Sequence, residues 1–197
     1  REFEDSLWAA LNDSQAGCAM AVTAENCATK YGIGRDEQDA FAVRSQKLAA
    51  CAAEHGRLRE EIVPVQVPSR KGVEVIDRDD HLRPQTTIEA LAKLAPVTGK
   101  QGTVTAGNAS GIVDGGAALI LASEAAAKKH GLKLRARVLG AAVAGLAPRI
   151  MGFGPAPASK KLLTRLGLEI GQMGGVGLKG AFAAQGLAVT RQLGLAD

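Results

Sequence analysis

The apolar positions of this chain change their period about halfway along it. Phe3, Leu7 and Leu11 stand four apart with Trp8 beside them, which predicts a short helix over 5–11 with Trp8 as its packing anchor. The run 20–31 predicts a helix starting near Thr23 and stopped by Gly32, the residue type that most readily takes the left-handed turn after a helix. A longer amphipathic helix is predicted over 35–55. Asp36, Glu37 and Asp39 lie at its positive end, Phe41 and Leu48 are one heptad apart, and Gly56 follows. The alternation in 62–67 reads as a strand, held to a sheet edge by Pro64, with 73–76 as its hairpin partner across 68–72. Thr86-Thr87-Ile88-Glu89 has the spacing of a capping box opening a short helix to Leu94.

Beyond residue 100 the runs become continuous. Residues 117–122 (Ala-Ala-Leu-Ile-Leu-Ala) and 137–145 predict buried strands. Ser123-Glu124 caps a helix that Gly131 ends, Pro157 opens another to Leu166, and the last helix covers 181–193. Strand, helix, strand, helix predicts an α/β architecture with a layered sheet.

The composition fits such packing. Of 197 residues 46% are apolar yet only 3% aromatic, with 24 Gly, so helices and strands meet by close backbone approach. The mean hydropathy of +0.03 is too apolar for a disordered chain. Charge is lopsided. Residues 1–100 hold 16 acidic against 13 basic side chains, a net −3, while 101–197 hold 4 against 11, a net +7, with 18 of the glycines. No basic run exceeds Lys128-Lys129 or Lys160-Lys161, so the excess reads as solvated helix faces or a surface for an anionic ligand, and not as a nucleic-acid stripe.

Cys18, Cys27 and Cys51 are odd in number and lack C-x-x-C spacing, and His55, His81 and His130 are scattered. A reducing, cytoplasmic compartment and no metal site are expected. No run reaches the roughly 18 apolar residues of a membrane span, and the opening Arg1-Glu2-Phe3-Glu4-Asp5 is no leader. Its lack of Met leads us to expect a natural N-terminus further upstream.

Two glycine-rich stretches invite a functional reading. Gly175-Val-Gly177-Leu-Lys-Gly180 fits G-x-G-x-x-G, but 168–173 is a poor strand and the only acidic residue downstream is Asp197, so a dinucleotide fingerprint is not expected. The segment 103–116, Thr-Val-Thr-Ala-Gly-Asn-Ala-Ser-Gly-Ile-Val-Asp-Gly-Gly, is stronger. Four glycines would let a ligand lie on bare backbone, with Asn108, Ser110 and Asp114 supplying hydrogen bonds. Composition alone leaves open a tight loop whose polar groups bond only their own backbone.

That segment resembles the one thiolases, the acetyl-CoA acyltransferases, carry as T-V-T-A-G-N-A-S-G-x-x-D-G-A-A-A-L. Further stretches agree in order: Met20 to Asn26, Asp36 to Phe41, Ser45-Gln46, Glu61 to Pro64, Arg83 to Thr87, Met151 to Ala158 and Ala181 to Gln185. The resemblance covers essentially the whole chain. It implies a thiolase-like layered αβαβα fold, incomplete here: a loop domain over 1–112, the last strand and helix of the N-terminal core domain over 113–130, and the first half of the C-terminal core domain over 131–197.

It also implies acyl transfer between CoA thioesters through a cysteine thioester, with CoA as substrate and no covalently bound cofactor. By similarity Ala106 and Ser110 line the pantetheine, Met20 the acyl pocket, Arg83 the adenine end and Phe182 the tunnel wall. A guanidinium suits the adenine end because it both stacks on a ring and meets phosphate. The resemblance puts the nucleophilic cysteine before residue 1, and the histidine and second cysteine after Asp197; Cys18, Cys27 and Cys51 match none of them. The chain alone is therefore expected to be inactive. Where the family writes N-E-A-F this sequence has Lys179-Gly-Ala-Phe182, placing a lysine at the asparagine of the oxyanion hole. A homodimer or homotetramer is expected, with neither nucleic acid nor membrane as a partner. A catalytically dead CoA-binding or interaction module is the alternative.

Overall fold

The computed structural model describes residues 3–195. Arg1, Glu2 and Asp197, used above to read the N-terminus and the missing acidic partner, lie outside them. The elements are α1 (Ser6–Ala10), β1 (Asn12–Asp13), β2 (Cys18–Ala19), α2 (Met20–Tyr31), α3 (Arg35–Glu54), β3 (Val65–Ser69), β4 (Gly72–Ile76), α4 (Ile88–Ala92), α5 (Glu124–Lys129), α6 (Pro155–Leu166) and α7 (Ala183–Leu193), with 3₁₀ turns at Leu58–Glu60, Pro148–Phe153 and Ile170–Gln172.

Local chemistry sets most helix ends. The Asp5 carboxylate accepts from the Leu7 and Trp8 amides, and Ser123 accepts from Ala126 N. Gly32 and Gly131 take φ 62° behind α2 and α5, as their positions predict. Four starts differ from expectation: α6 opens at Pro155 and not at Pro157, α7 at Ala183 and not at 181, and α2 and α4 for the reasons that follow. The β1–β2 ladder pairs Asn12 with Ala19 and delivers the chain into α2 at Met20, so Thr23 lies inside the helix and donates to Met20 O. At α4 the cap is Thr87, accepting from Ala90 N, while Thr86 donates to Arg83 O; the box spaced on Thr86 and Glu89 does not form.

The core is helical. Ala28 and Ile33 after α2 pack on Ala184, Leu187 and Ala188 of α7, with Tyr31, Phe41 and Phe153 at the margin. Tyr31 and Phe153 stack with centroids 4.7 Å apart. A second cluster joins α6 to α7 through Ala156, Val189 and Leu193. A third joins α3 to α4 through Ala42, Val43 and Leu91. The small residues bring the helices close: a Cβ at Gly186 would stand 3.2 Å from the Phe41 ring.

The two apolar runs read as buried strands are where structure and expectation part. Among the described residues the paired strands are β1–β2 and the β3–β4 hairpin, both antiparallel. The apolar runs 117–122 and 137–145 enter no ladder and are not buried: Leu119, Ile120 and Leu121 are 84–89% exposed and Val138 and Val143 76% and 83%. A strand forms only when a neighbour lies within about 4.8 Å to accept and donate along its edge, and no described residue does so here. Lys161 and Arg165 of α6 instead donate to the carbonyls of Val143 and Ala141, at 3.1 and 3.2 Å. Among the described residues no helix is long and apolar enough to cross a membrane.

Unpaired apolar runs of this kind drive association. In sizing chromatography the chain is expected to elute above its 20.3 kDa mass, and Leu119→Lys with Leu121→Lys is expected to shift it toward monomer. A sharp monomer peak from the unaltered chain contradicts this.

Candidate functional site

The glycine-rich segment is clamped from beneath by α2. The Glu25 carboxylate accepts from Thr98 Oγ1 at 2.7 Å, from Thr103 N and Oγ1 at 2.9 and 2.7 Å, and from Val104 N at 3.1 Å. Burial pushes its pKa up, but the bonds from Thr103, Thr98 and Val104 outweigh this and hold it below the ordinary carboxylate range.

A second anchor comes from α3. Asn108, 4% exposed, accepts from Thr105 N and donates to Thr103 O and to Asp39 Oδ1 at 2.9 Å. Asp39 is buried and held from its other oxygen by Arg35 at 2.7 Å, and Arg35 reaches on to the carbonyls of Leu91 and Leu94 at the end of α4. Gln38, fully buried, donates to Thr103 Oγ1. Asn108, read from sequence as a possible ligand contact, is therefore the loop's own fastener, because its amide faces a buried carboxylate and not the surface.

The glycines divide in the same way. A Cβ at Gly107 would overlap Leu91 and Leu94, and one at Gly111 would overlap the His81 ring, whereas Gly115 and Gly116 face open space. Two of the four are required by protein packing and not by a ligand.

What remains outward is the candidate groove, the surface over the loop's crest and the entry to α7. Ala106 and Ser110 are exposed at the loop's crest. Ser110 N donates to Ala181 O at 2.7 Å, Ala183 N donates to Asn108 O, and Ala109 bridges Phe182, so the loop is stitched to the residues entering α7. Gln185 accepts from Ala181 N and fixes that entry, which is why α7 begins at Ala183 and not at 181. Ser110, Phe182 and Lys179 are thereby brought together, with Lys179 Nζ 3.5 Å from Ser110 Oγ. Met20 sits half-buried at the start of α2, its amide held by Leu11 O. Arg83 is exposed on the far side of His81; its amide donates to Gln46 of α3 and its guanidinium to the carbonyls of Asp80 and Leu82.

None of the three thiols is placed against this groove by a hydrogen bond among the described residues. Cys27 is fully buried and donates to Ile150 O; burial pushes its thiol up, against smaller opposing effects of Lys30 and the Phe153 backbone. Cys51 is exposed, 3.5 Å from His55 Nδ1 on the last turn of α3. Glu25, Asp39 and His81 were not singled out by sequence reasoning. The partners of the two carboxylates in the 98–108 segment lie 69 to 79 residues away, and apart from the Arg35–Asp39 pair four residues apart no local pattern marks them.

Two outcomes follow for stability. Asn108→Ala strands the buried Asp39 oxygen and the Thr105 amide, and a loss of about 2–4 kcal/mol is expected in urea unfolding. Because Glu25 has a lowered native pKa, its contribution is present above the ordinary carboxylate range and is lost as pH falls through that native value. Glu25→Gln is expected to flatten this acid limb of the stability profile, measured by thermal melting across pH.

Both halves of the chain match known domains. Residues 1–125 match the model described as thiolase, N-terminal domain, and 132–197 the one described as thiolase, C-terminal domain. The β-ketoadipyl-CoA thiolase of Pseudomonas knackmussii is 61% identical over 179 residues, 91% of this chain and 45% of its own length. The crystal structure of human mitochondrial 3-ketoacyl-CoA thiolase superposes with TM-score 0.95 at 47% identity, covering 99% of this chain and 49% of that one. The human enzyme in complex with CoA gives TM-score 0.93 at 46% identity, covering 99% and 48%. The chain thus spans about half the length of the relatives it matches. With both domains matched in order and the described path superposing throughout, this chain belongs to the thiolase family and takes about half of the thiolase fold.

Proposed function

We propose that this chain supplies the CoA- and acyl-binding parts of a thiolase-type acyl transferase. The observation that carries the reading is the outward Ser110 hydroxyl on a loop held from below by Glu25 and Asn108 and stitched to Phe182. The likeness to a thiolase bound to CoA supports it. In this reading Ala106 and Ser110 line the pantetheine, Phe182 walls the tunnel, Met20 faces the acyl group and Arg83 the adenine end. The loop domain is 1–112, followed by core-domain pieces at 113–130 and 131–197.

The reaction of the whole protein would be 3-ketoacyl-CoA cleavage or its reverse. A thiolate attacks the 3-keto carbon, the bond between the second and third carbons breaks, acetyl-CoA leaves after protonation, and the thiol of a second CoA takes the acyl group. The residues of this chain bind and orient the thioester; the thiolate and its acid/base partners belong to segments outside 1–197. The 61% identity to a β-ketoadipyl-CoA thiolase supports an acyl chain ending in a free carboxylate and so degradative chemistry; a cytoplasmic homodimer or homotetramer is carried over from the family resemblance alone.

One observation favours a non-catalytic CoA-binding module. Lys179 stands where the family's oxyanion asparagine falls, and a long ammonium does not fix a water as a short amide does. A reading frame continuing on both sides, with a cysteine upstream and Gly-His-Pro downstream, supports the enzyme; a start and stop at these ends supports the module.

In calorimetry CoA is expected to saturate the chain, and Ser110→Trp to weaken it at least about tenfold, equivalent to about 1.4 kcal/mol. Thiol-dependent acetoacetyl-CoA cleavage is expected to stay at the level of a boiled control. Cleavage above it overturns the assignment of the chemistry to other segments.

A further inference from the structure

A cleft of about 560 Å³ opens on the other side of the 77–82 segment, between it and α3 with the following 3₁₀ turn. Its floor is apolar and half-buried: Ala49 and Ala53, one helical turn apart on α3, with Leu58, Ile62 and Leu82. Its mouth carries Arg59 and Arg78 beside Asp77 and Asp79, and among the described residues none of the four forms an ion pair. The volume is within the range of small-molecule sites, about 300–1,000 Å³. Free guanidinium forks fit a carboxylate. The neighbouring aspartates bring the mouth close to neutral, which favours a single negative charge over a polyphosphate.

Two side chains that line the cleft also touch residues of the CoA reading or their neighbours. Gln46 lines it and accepts the Arg83 amide at 2.8 Å. His81 lines it and packs against Gly111, the residue after Ser110, where a Cβ would overlap the imidazole. An occupant that moves the 77–82 segment therefore moves the contacts made to Gly111 and to Arg83.

We propose that this cleft is a second ligand site, for an amphipathic organic carboxylate with an apolar body of medium length, and that its occupancy is sensed in the CoA groove through His81 and Gln46. The coupling rests on the CoA reading above; the site itself does not.

Octanoate is the probe, titrated into the full chain by calorimetry. Saturable one-to-one binding is expected, weakened at least about tenfold in Ala49→Trp, which fills the floor, and by a similar factor in the surface variant Arg59→Ala with Arg78→Ala. Octanol, lacking the charge, is expected to bind at least about threefold more weakly than octanoate. No saturable binding, or binding undiminished in all the variants, overturns the site. Saturating octanoate is expected to change the CoA dissociation constant at least about threefold in the unaltered chain and not in Ala49→Trp. An unchanged constant overturns the coupling. If CoA binds neither with nor without octanoate, the CoA reading fails and the coupling with it, while the octanoate titration still decides the site.

Discussion

Glu25 gathers four donors from a segment more than seventy residues away, and the position of the groove follows from that gathering. The carboxylate is half-buried, so its own desolvation opposes the arrangement; only the combined bonds from Thr98, Thr103 and Val104 make it favourable. With 98–104 fixed on α2, Asn108 falls opposite Asp39 of α3, and Arg35 extends the same network to the end of α4. Three helices are tied to one loop through polar groups, which gives the loop a single register. Ser110, whose hydroxyl takes no part in this network, is left at the exposed crest.

The helical core has a different logic. Alanines and glycines let α2, α3 and α7 approach until Phe41 meets Gly186, and the few aromatics lie at the margins, with Tyr31 stacked on Phe153. Such interfaces gain from many small dispersion contacts and lose sharply when a methyl is added. They provide a stiff base for the polar network without needing large side chains, consistent with a chain that is 46% apolar and 3% aromatic.

What the sequence made legible was local in cause. Gly32 and Gly131 mark helix ends because a left-handed residue is needed there, and Asp5 and Ser123 mark starts because their oxygens reach amides two or three residues on. The hairpin was readable from alternation, but its strands are Val65–Ser69 and Gly72–Ile76, so Pro64 precedes the ladder and the turn is tighter than the 68–72 read for it. The 117–122 and 137–145 runs were read as buried strands because their residues suit strands, but a ladder is a property of two segments and burial a property of several. The roles of Asn108 and Gly107 stayed open in the sequence for the same reason: a residue suited to touching a ligand is equally suited to touching a neighbouring helix, and only the distant partners Asp39, Leu91 and Leu94 decide. The order of motifs, by contrast, carried the family over the whole length.

Lys161 and Arg165 place their charges on the carbonyls of Val143 and Ala141, alternate positions along an otherwise unpaired apolar run. Each donor satisfies a main-chain acceptor while keeping water close to it, so this edge is guarded rather than sealed. A strand able to offer amides in register displaces two flexible cations, which return to solvent at little cost. A mismatched strand meets charge where it needs a donor in line. The two cations thus occupy acceptors that a neighbouring strand would use, and α6 shields two points of a run that is otherwise open.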